Sequence, residues 1–132
     1  MKQTVIIKTI VSIIAITAVI ITASVFAQQI LFHDSDQIVQ SVKEAEAGIK
    51  KKNWEQAENQ VDRIMKQWED VKGTWSALVD HQEIDNIDVT VSRLQALVKS
   101  KDDASALQEA AALKKFVGHI PNKEKLLLDN VL

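Results

Sequence analysis

No cysteine occurs anywhere in the chain. That absence removes disulfides, thiol nucleophiles, cysteine-ligated zinc and a lipoprotein anchor together, so any folded part must be held by packing alone. Tyrosine is missing too, proline occurs once and glycine three times. Strands draw on β-branched and aromatic residues set between Gly/Pro turns. Here Val, Ile and Thr crowd into the first thirty residues, and the remainder is mostly Ala, Lys, Glu, Gln, Leu and Asp. The expected fold class is therefore all-α. Several catalytic signatures are absent as well: a glycine-rich phosphate loop, a Gly-x-Ser-x-Gly elbow, a His-Glu-x-x-His pair, a twelve-residue calcium loop, and a pair of carboxylates set to hold different protonation states.

The first thing present is "TIVSIIAITAVIITASVFAQQILF", Thr9 to Phe32, which carries no charge and follows Lys2 and Lys8. A helix of about 20 largely apolar residues crosses roughly 30 Å of hydrocarbon, and it satisfies its own backbone while doing so. The two lysines, with no basic residue after them until Lys43, predict an N-terminus inside and the rest outside the cytoplasmic membrane. The chain thus divides into a signal-anchor helix, residues 1–32, and an extracytoplasmic helical domain, residues 33–132. The alternative is a secretory signal cleaved after Ala27, at the end of "ASVFA". The apolar run past that point, through Ile30, Leu31 and Phe32, favours the anchor.

With Lys2 and Lys8 set aside, the 132-residue chain leaves 14 basic against 18 acidic residues, a net of −4 for residues 33–132. Both signs are interspersed, which argues against a nucleic-acid partner.

The clearest packing pattern lies in "NWEQAENQVDRIMKQWEDVKGTWSALVD". Trp54, Ala57, Val61, Ile64, Trp68, Val71, Trp75 and Leu78 follow one another at steps of 3 and 4, a seam along one helix of about seven turns. Asn53 is a natural N-cap, with Gln56 placed to complete a capping box. All three tryptophans share that stripe, which predicts a core face; the functional alternative is an aromatic binding surface. Gly73 breaks helix propensity but not the seam, so at most a bend is expected there.

A shorter helix should precede it, capped by Asp34 or Ser35, with Ile38, Val42, Ala45 and Ile49 inward. "KKK" at 50–52 ends it, reading as a solvated helix end that complements the dipole, or as a docking patch for an acidic partner or surface polymer. A third helix carries Ile84, Ile87, Val91, Leu94 and Val98. A fourth, capped by Asp102 or Asp103, carries Leu107, Ala110, Leu113, Val117 and Ile120, with Gly118 and Pro121 marking its end and "NKEKLLLDNVL" a final short helix or tail. Shifting the chain by 49 residues superposes the two halves, Ile38 on Ile87, Val42 on Val91, Ile49 on Val98, Ala57 on Ala106. Two antiparallel helical hairpins are implied. Asn53-Trp54-x-x-Ala57 also resembles the turn and second-helix start of a tetratricopeptide repeat, although Asp103 stands where the second copy's aromatic belongs.

"DHQEIDNID", residues 80–88, is the stretch that invites a site. The step from Leu78 to Ile84 is six, so a turn belongs inside it. Asp80 and His81 then fall at the end of one helix, while Glu83, Asp85 and Asp88 fall at the start of the next, with Glu83 or Asp85 as cap. The competing reading gathers His81, Glu83, Asp85 and Asp88 around a metal, as a sensor or enzyme. The helix-corner reading is preferred, with no catalytic residue, metal or cofactor assigned.

The apolar N-terminus, "NWEQA", Trp68, Trp75, "LVDHQEIDNIDVTVSRL" and the Leu-rich end closing on "DNVL" together resemble the DUF4363 family of small bacterial proteins. The resemblance implies a single-pass, extracytoplasmic helical protein with no established activity, and it supplies no catalytic residues. His81 and Glu83 match its Asp-His-x-Glu corner. The expected function is a membrane-anchored, non-catalytic interaction module. Its expected contacts are lipid through residues 9–32 and another membrane or envelope protein.

Overall fold

Consecutive helices joined by turns of two or three residues can only run antiparallel, and that is the organisation of the computed structural model. It describes residues 1–131, excepting the side chains at 124, 126–129 and 131. Four helices follow in order: α1 (Lys2–Lys50), α2 (Trp54–Leu78), α3 (His81–Lys99) and α4 (Asp103–Val131). α1 packs on α2 and α4, and α3 packs on the same two. The hairpins therefore close on each other around one core instead of leaving a face for a further repeat, and the tetratricopeptide likeness is confined to the turn.

The first correction concerns α1. The expected break near residue 33 is absent, and one helix of 49 residues runs from the apolar segment into the bundle. Asp34 and Ser35 are interior residues of that helix and cap nothing. The reason lies in the inward face, where Leu31, Ser35, Ile38, Val42, Ala45 and Ile49 recur at steps of 4 and 3 without interruption. A helix whose buried stripe continues has no reason to stop.

α4 departs from expectation in the same sense. Gly118 and Pro121 do not end it, and Pro121 lies inside the helix. Proline lacks the N–H that would bond the carbonyl four residues earlier, here that of Val117. The Ser35 hydroxyl supplies the missing donor, at 2.9 Å.

The seam on α2 buries Ala57, Val61, Ile64, Trp68 and Trp75, with Trp54 and Val71 packed partly buried against them. Leu78 was expected inward and is instead 37% exposed, while Val79 is 8% exposed. The helix ends at Leu78, and extended backbone at Val79 (φ −126°, ψ 151°) swings the next side chain inward. On α4 Ala110, Leu113, Val117 and Ile120 are buried as expected, but Ala106 takes the place expected of Leu107, which is only partly covered.

The two hairpin turns are the same motif. In the first, the N–H of Lys52 bonds Ile49 O and that of Asn53 bonds Gly48 O; in the second, Lys101 bonds Val98 O and Asp102 bonds Leu97 O. Both are Schellman endings with the pivotal residue left-handed, Lys52 at φ 55° and Lys101 at φ 56°. Asn53 and Asp102 then cap the following helices through Gln56 N and Ser105 N. The Asn53 N–H is committed to Gly48, so Gln56 meets the Asn53 side chain (3.4 Å) and only half a capping box forms.

Candidate functional site

The 80–88 corner is tighter than its sequence suggests. Only Val79 and Asp80 separate α2 from α3. Asp80 is the N-cap of α3, accepting from Gln82 N at 2.8 Å, so neither Glu83 nor Asp85 has that role. His81 is the first residue of α3 and is exposed, standing at a positive helix end.

The four candidate ligands diverge. Glu83 accepts from Lys123 of α4 at 3.1 Å. Asp85 is exposed. Asp88, just under a turn beyond Asp85, faces α2, where Trp68 Nε1 donates to it at 2.6 Å and Lys72 Nζ at 2.5 Å. Among the described residues no three His, Asp or Glu side chains form a group that could hold a metal ion.

What the structure does assemble is a polar clamp on every helix–helix seam. Asp34 accepts from Trp75 Nε1 at 3.1 Å across α1 and α2. Asp88 joins α2 to α3, and Glu83 with Lys123 joins α3 to α4. Ser35 with Val117 O closes α4 onto α1, as does Lys114, which reaches both Glu46 oxygens at 2.9 Å. Trp68 and Trp75 lie edge to face, centroids 5.7 Å apart at 89°, so their rings fill the core while each N–H reaches an acid at the rim. Burial pushes the Asp88 carboxyl up, but the hydrogen bonds from Lys72 and Trp68 outweigh it and hold it below the ordinary range. The Asp88 hydrogen bond in turn raises Lys72. These clamps pair three of their four acids with lysines, leave Asp34 to the neutral indole N–H of Trp75, and fix the register of the helices.

The clamps were half legible. A buried indole N–H needs an acceptor, so three tryptophans on a core stripe imply acids opposite them. Proline within a helical pattern implies a donor for its i−4 carbonyl. Asp34 and Ser35 are those partners, and their place before a new apolar repeat made them look like caps.

Two further surfaces bear on function. Residues 2–23 of α1 are all exposed, and Ser24, Ala27, Gln28 and Ile30 are the first partly covered positions before Leu31 enters the core. In that stretch the hydroxyls of Thr9, Ser12, Thr17 and Thr22 each donate to the carbonyl four residues earlier, at 2.8–2.9 Å. A hollow of about 500 Å³ beside Ala18, Val19, Thr22, Ala23 and Phe26 is the open flank of this lone helix and contains no ionisable group. At the opposite end of the bundle, the two Schellman turns lie side by side, Lys52 Nζ being 3.9 Å from Asp103 Oδ2.

The family described as "Domain of unknown function (DUF4363)" matches residues 25–131. No curated protein and no solved structure matches the chain.

Proposed function

The chain belongs to the DUF4363 family, whose match takes in the whole bundle and little of the apolar segment before it, and we propose that it is a membrane-anchored, extracytoplasmic helical module that acts by binding. The observation that carries this reading is the unbroken α1. Its residues up to Ala23 are exposed and strongly apolar, while its last twenty form one side of the core. Such a stretch in water would present a far larger apolar surface than soluble proteins carry, whereas hydrocarbon suits it. The four back-bonded hydroxyls support the same reading, because each is satisfied without water.

The sequence alone suggested a span from Thr9 to Phe32. The burial of Leu31 and the partial cover of Ala27, Gln28 and Ile30, beside the exposed Val25 and Phe26, favour a span shifted toward the N-terminus, ending near Phe26, with Lys8 snorkelling to the inner interface. A secretory signal cleaved after Ala27 is the competing reading, and the N-terminus of the mature protein decides between the two.

Binding in place of catalysis is supported by how the polar groups are used. Three of the four acids of the 80–88 stretch cap a helix or pair with Lys72 and Lys123, the exposed Asp85 being the fourth, and the core around the tryptophans is closely filled. The partner on this reading is another membrane or envelope protein, met laterally by a bundle confined to two dimensions.

The test is fractionation of cells expressing the full chain, with cysteines placed singly at Gln3 and Glu58 and labelled by a membrane-impermeant maleimide. Full-length protein in the membrane fraction with labelling at 58 only is the expected result. A mature N-terminus at Gln28, or labelling at 3, overturns the reading.

A further inference from the structure

We propose that the end of the bundle remote from the apolar extension binds a linear, phosphate-bearing polyanion through the lysines of its two turns. Lys50, Lys51 and Lys52 stand at one turn, Lys99 and Lys101 at the other, and the Lys52–Asp103 contact places the turns together. The helix dipole accounts for two of the five, Lys50 and Lys99, which occupy the last turns of α1 and α3. The other three lie past the helical residues.

Two of those three hold a conformation that lysine adopts at a cost. Lys52 and Lys101 sit at left-handed φ in the position where Schellman motifs ordinarily carry glycine, and both copies of the turn keep lysine. Local acids offset part of that charge, Asp102 and Asp103 at the second turn and Glu55 in the first turn of α2, against five lysines. Asp102 caps Ser105 N, and Asp103 bonds Ala104 N and lies near Lys52. Lys50, Lys51, Lys99 and Lys101 have no carboxylate at ion-pair distance among the described residues.

The chemistry of the tip selects the ligand. Its cations are all lysines, flexible point charges that suit successive phosphates, with no arginine fork for a planar carboxylate. The large exposed apolar side chains lie on residues 1–32 and at Leu78 and Val89, away from these turns, so the tip lacks the apolar centre that a protein interface buries. The protein's own lipid surface is too far. The helical rise from Leu31 to Lys50 is about 28 Å, well beyond a Debye length of about 10 Å. This last point alone rests on α1 being the anchor.

The experiment uses the full chain in neutral detergent micelles and labelled long-chain inorganic polyphosphate as probe, with binding read by anisotropy and folding by thermal melt. The parent should bind, more weakly as salt rises. Lys52→Gly/Lys101→Gly should weaken binding about tenfold or more while its melting temperature stays equal to or above the parent's, because glycine relieves both left-handed positions. Lys51→Gln/Lys99→Gln, which leaves the pivotal residues untouched, should weaken binding comparably. Binding unchanged in both variants overturns the proposal. So does equal or tighter binding of poly-glutamate, which would point to an acidic protein, of anionic vesicles, which would point to lipid, or of a single-stranded oligonucleotide, which would point to the nucleic-acid partner that the interspersed charge argues against.

Discussion

The Ser35 hydroxyl of α1 donates at 2.9 Å to the carbonyl of Val117 on α4, the carbonyl that Pro121 leaves without a helical N–H. Ser35 is 5% exposed, so no water can stand in freely for either group. Ser35→Ala should therefore destabilise the protein by about 1–3 kcal/mol, the range for orphaning a buried acceptor. In a Pro121→Ala background the helix regains its own donor, and the same change should cost less. A double-mutant cycle by urea unfolding of the detergent-solubilised chain checks this; additive effects would show that Ser35 and Pro121 are not coupled.

Trp68 separates packing from hydrogen bonding. It is 2% exposed and its N–H serves Asp88. Trp68→Ala should cost about 3–5 kcal/mol. Trp68→Phe keeps much of the ring but leaves Asp88 a donor short, and should fall between that variant and the parent. Loss of a binding function with an unaltered melting temperature would instead return the tryptophan stripe to the role of a ligand surface.

Asp88 should impose a pH dependence on the acid side. Its folded pKa lies below the ordinary 3.8, so the folded state favours the ionised form. The resulting stabilisation is complete above the unfolded value and is lost as pH falls from there through the folded value. Melting temperature against pH should accordingly drop more steeply below about pH 4 in the parent than in Asp88→Asn. Lys72, raised by the same contact, acts at the other extreme. Its stabilisation is present below 10.5 and lost only as pH rises beyond it.

For the 80–88 corner, exposed His81 makes His81→Ala worth less than about 0.5 kcal/mol. Glu83→Gln, which loses a partly exposed ion pair with Lys123, should cost about 0.5–1 kcal/mol. Melting curves with chelator, zinc or calcium should coincide. A metal-dependent rise abolished by both substitutions would make the corner a binding site after all.

Gly73 is the simplest case. It lies within α2, is exposed, and a Cβ built there meets nothing within 4 Å. Gly73→Ala should stabilise the protein by about 1 kcal/mol, visible as a raised melting temperature. A drop would mean that the helix bends there in a way the added methyl opposes.

The helical periods were strong enough in the sequence to locate α2 and α3 and nearly all of their buried faces. What they could not show was termination, because a period says where a helix faces and not whether a neighbour rescues it. Asp34 and Ser35 have the composition of a cap and the position of clamps; Pro121 has the composition of a stop and is tolerated through a residue 86 positions earlier in the chain. Leu78 fell one residue outside its seam because the last helical step and the first extended one point in different directions. The divergence of Glu83 and Asp88 was illegible for a related reason. Their partners Lys72, Trp68 and Lys123 come from other helices, and spacing within one stretch says nothing of them.

The unbroken α1 has a mechanical corollary if its first half lies in lipid. With no hinge between membrane and bundle, any tilt of the buried segment is transmitted undiminished, and the helix works as a lever. A change of about 10°, well within the range that bilayer thickness imposes on single spans, would carry the lysine turns sideways by about 5 Å. Thinning or thickening of the bilayer would thus be written as displacement at the far end of the bundle.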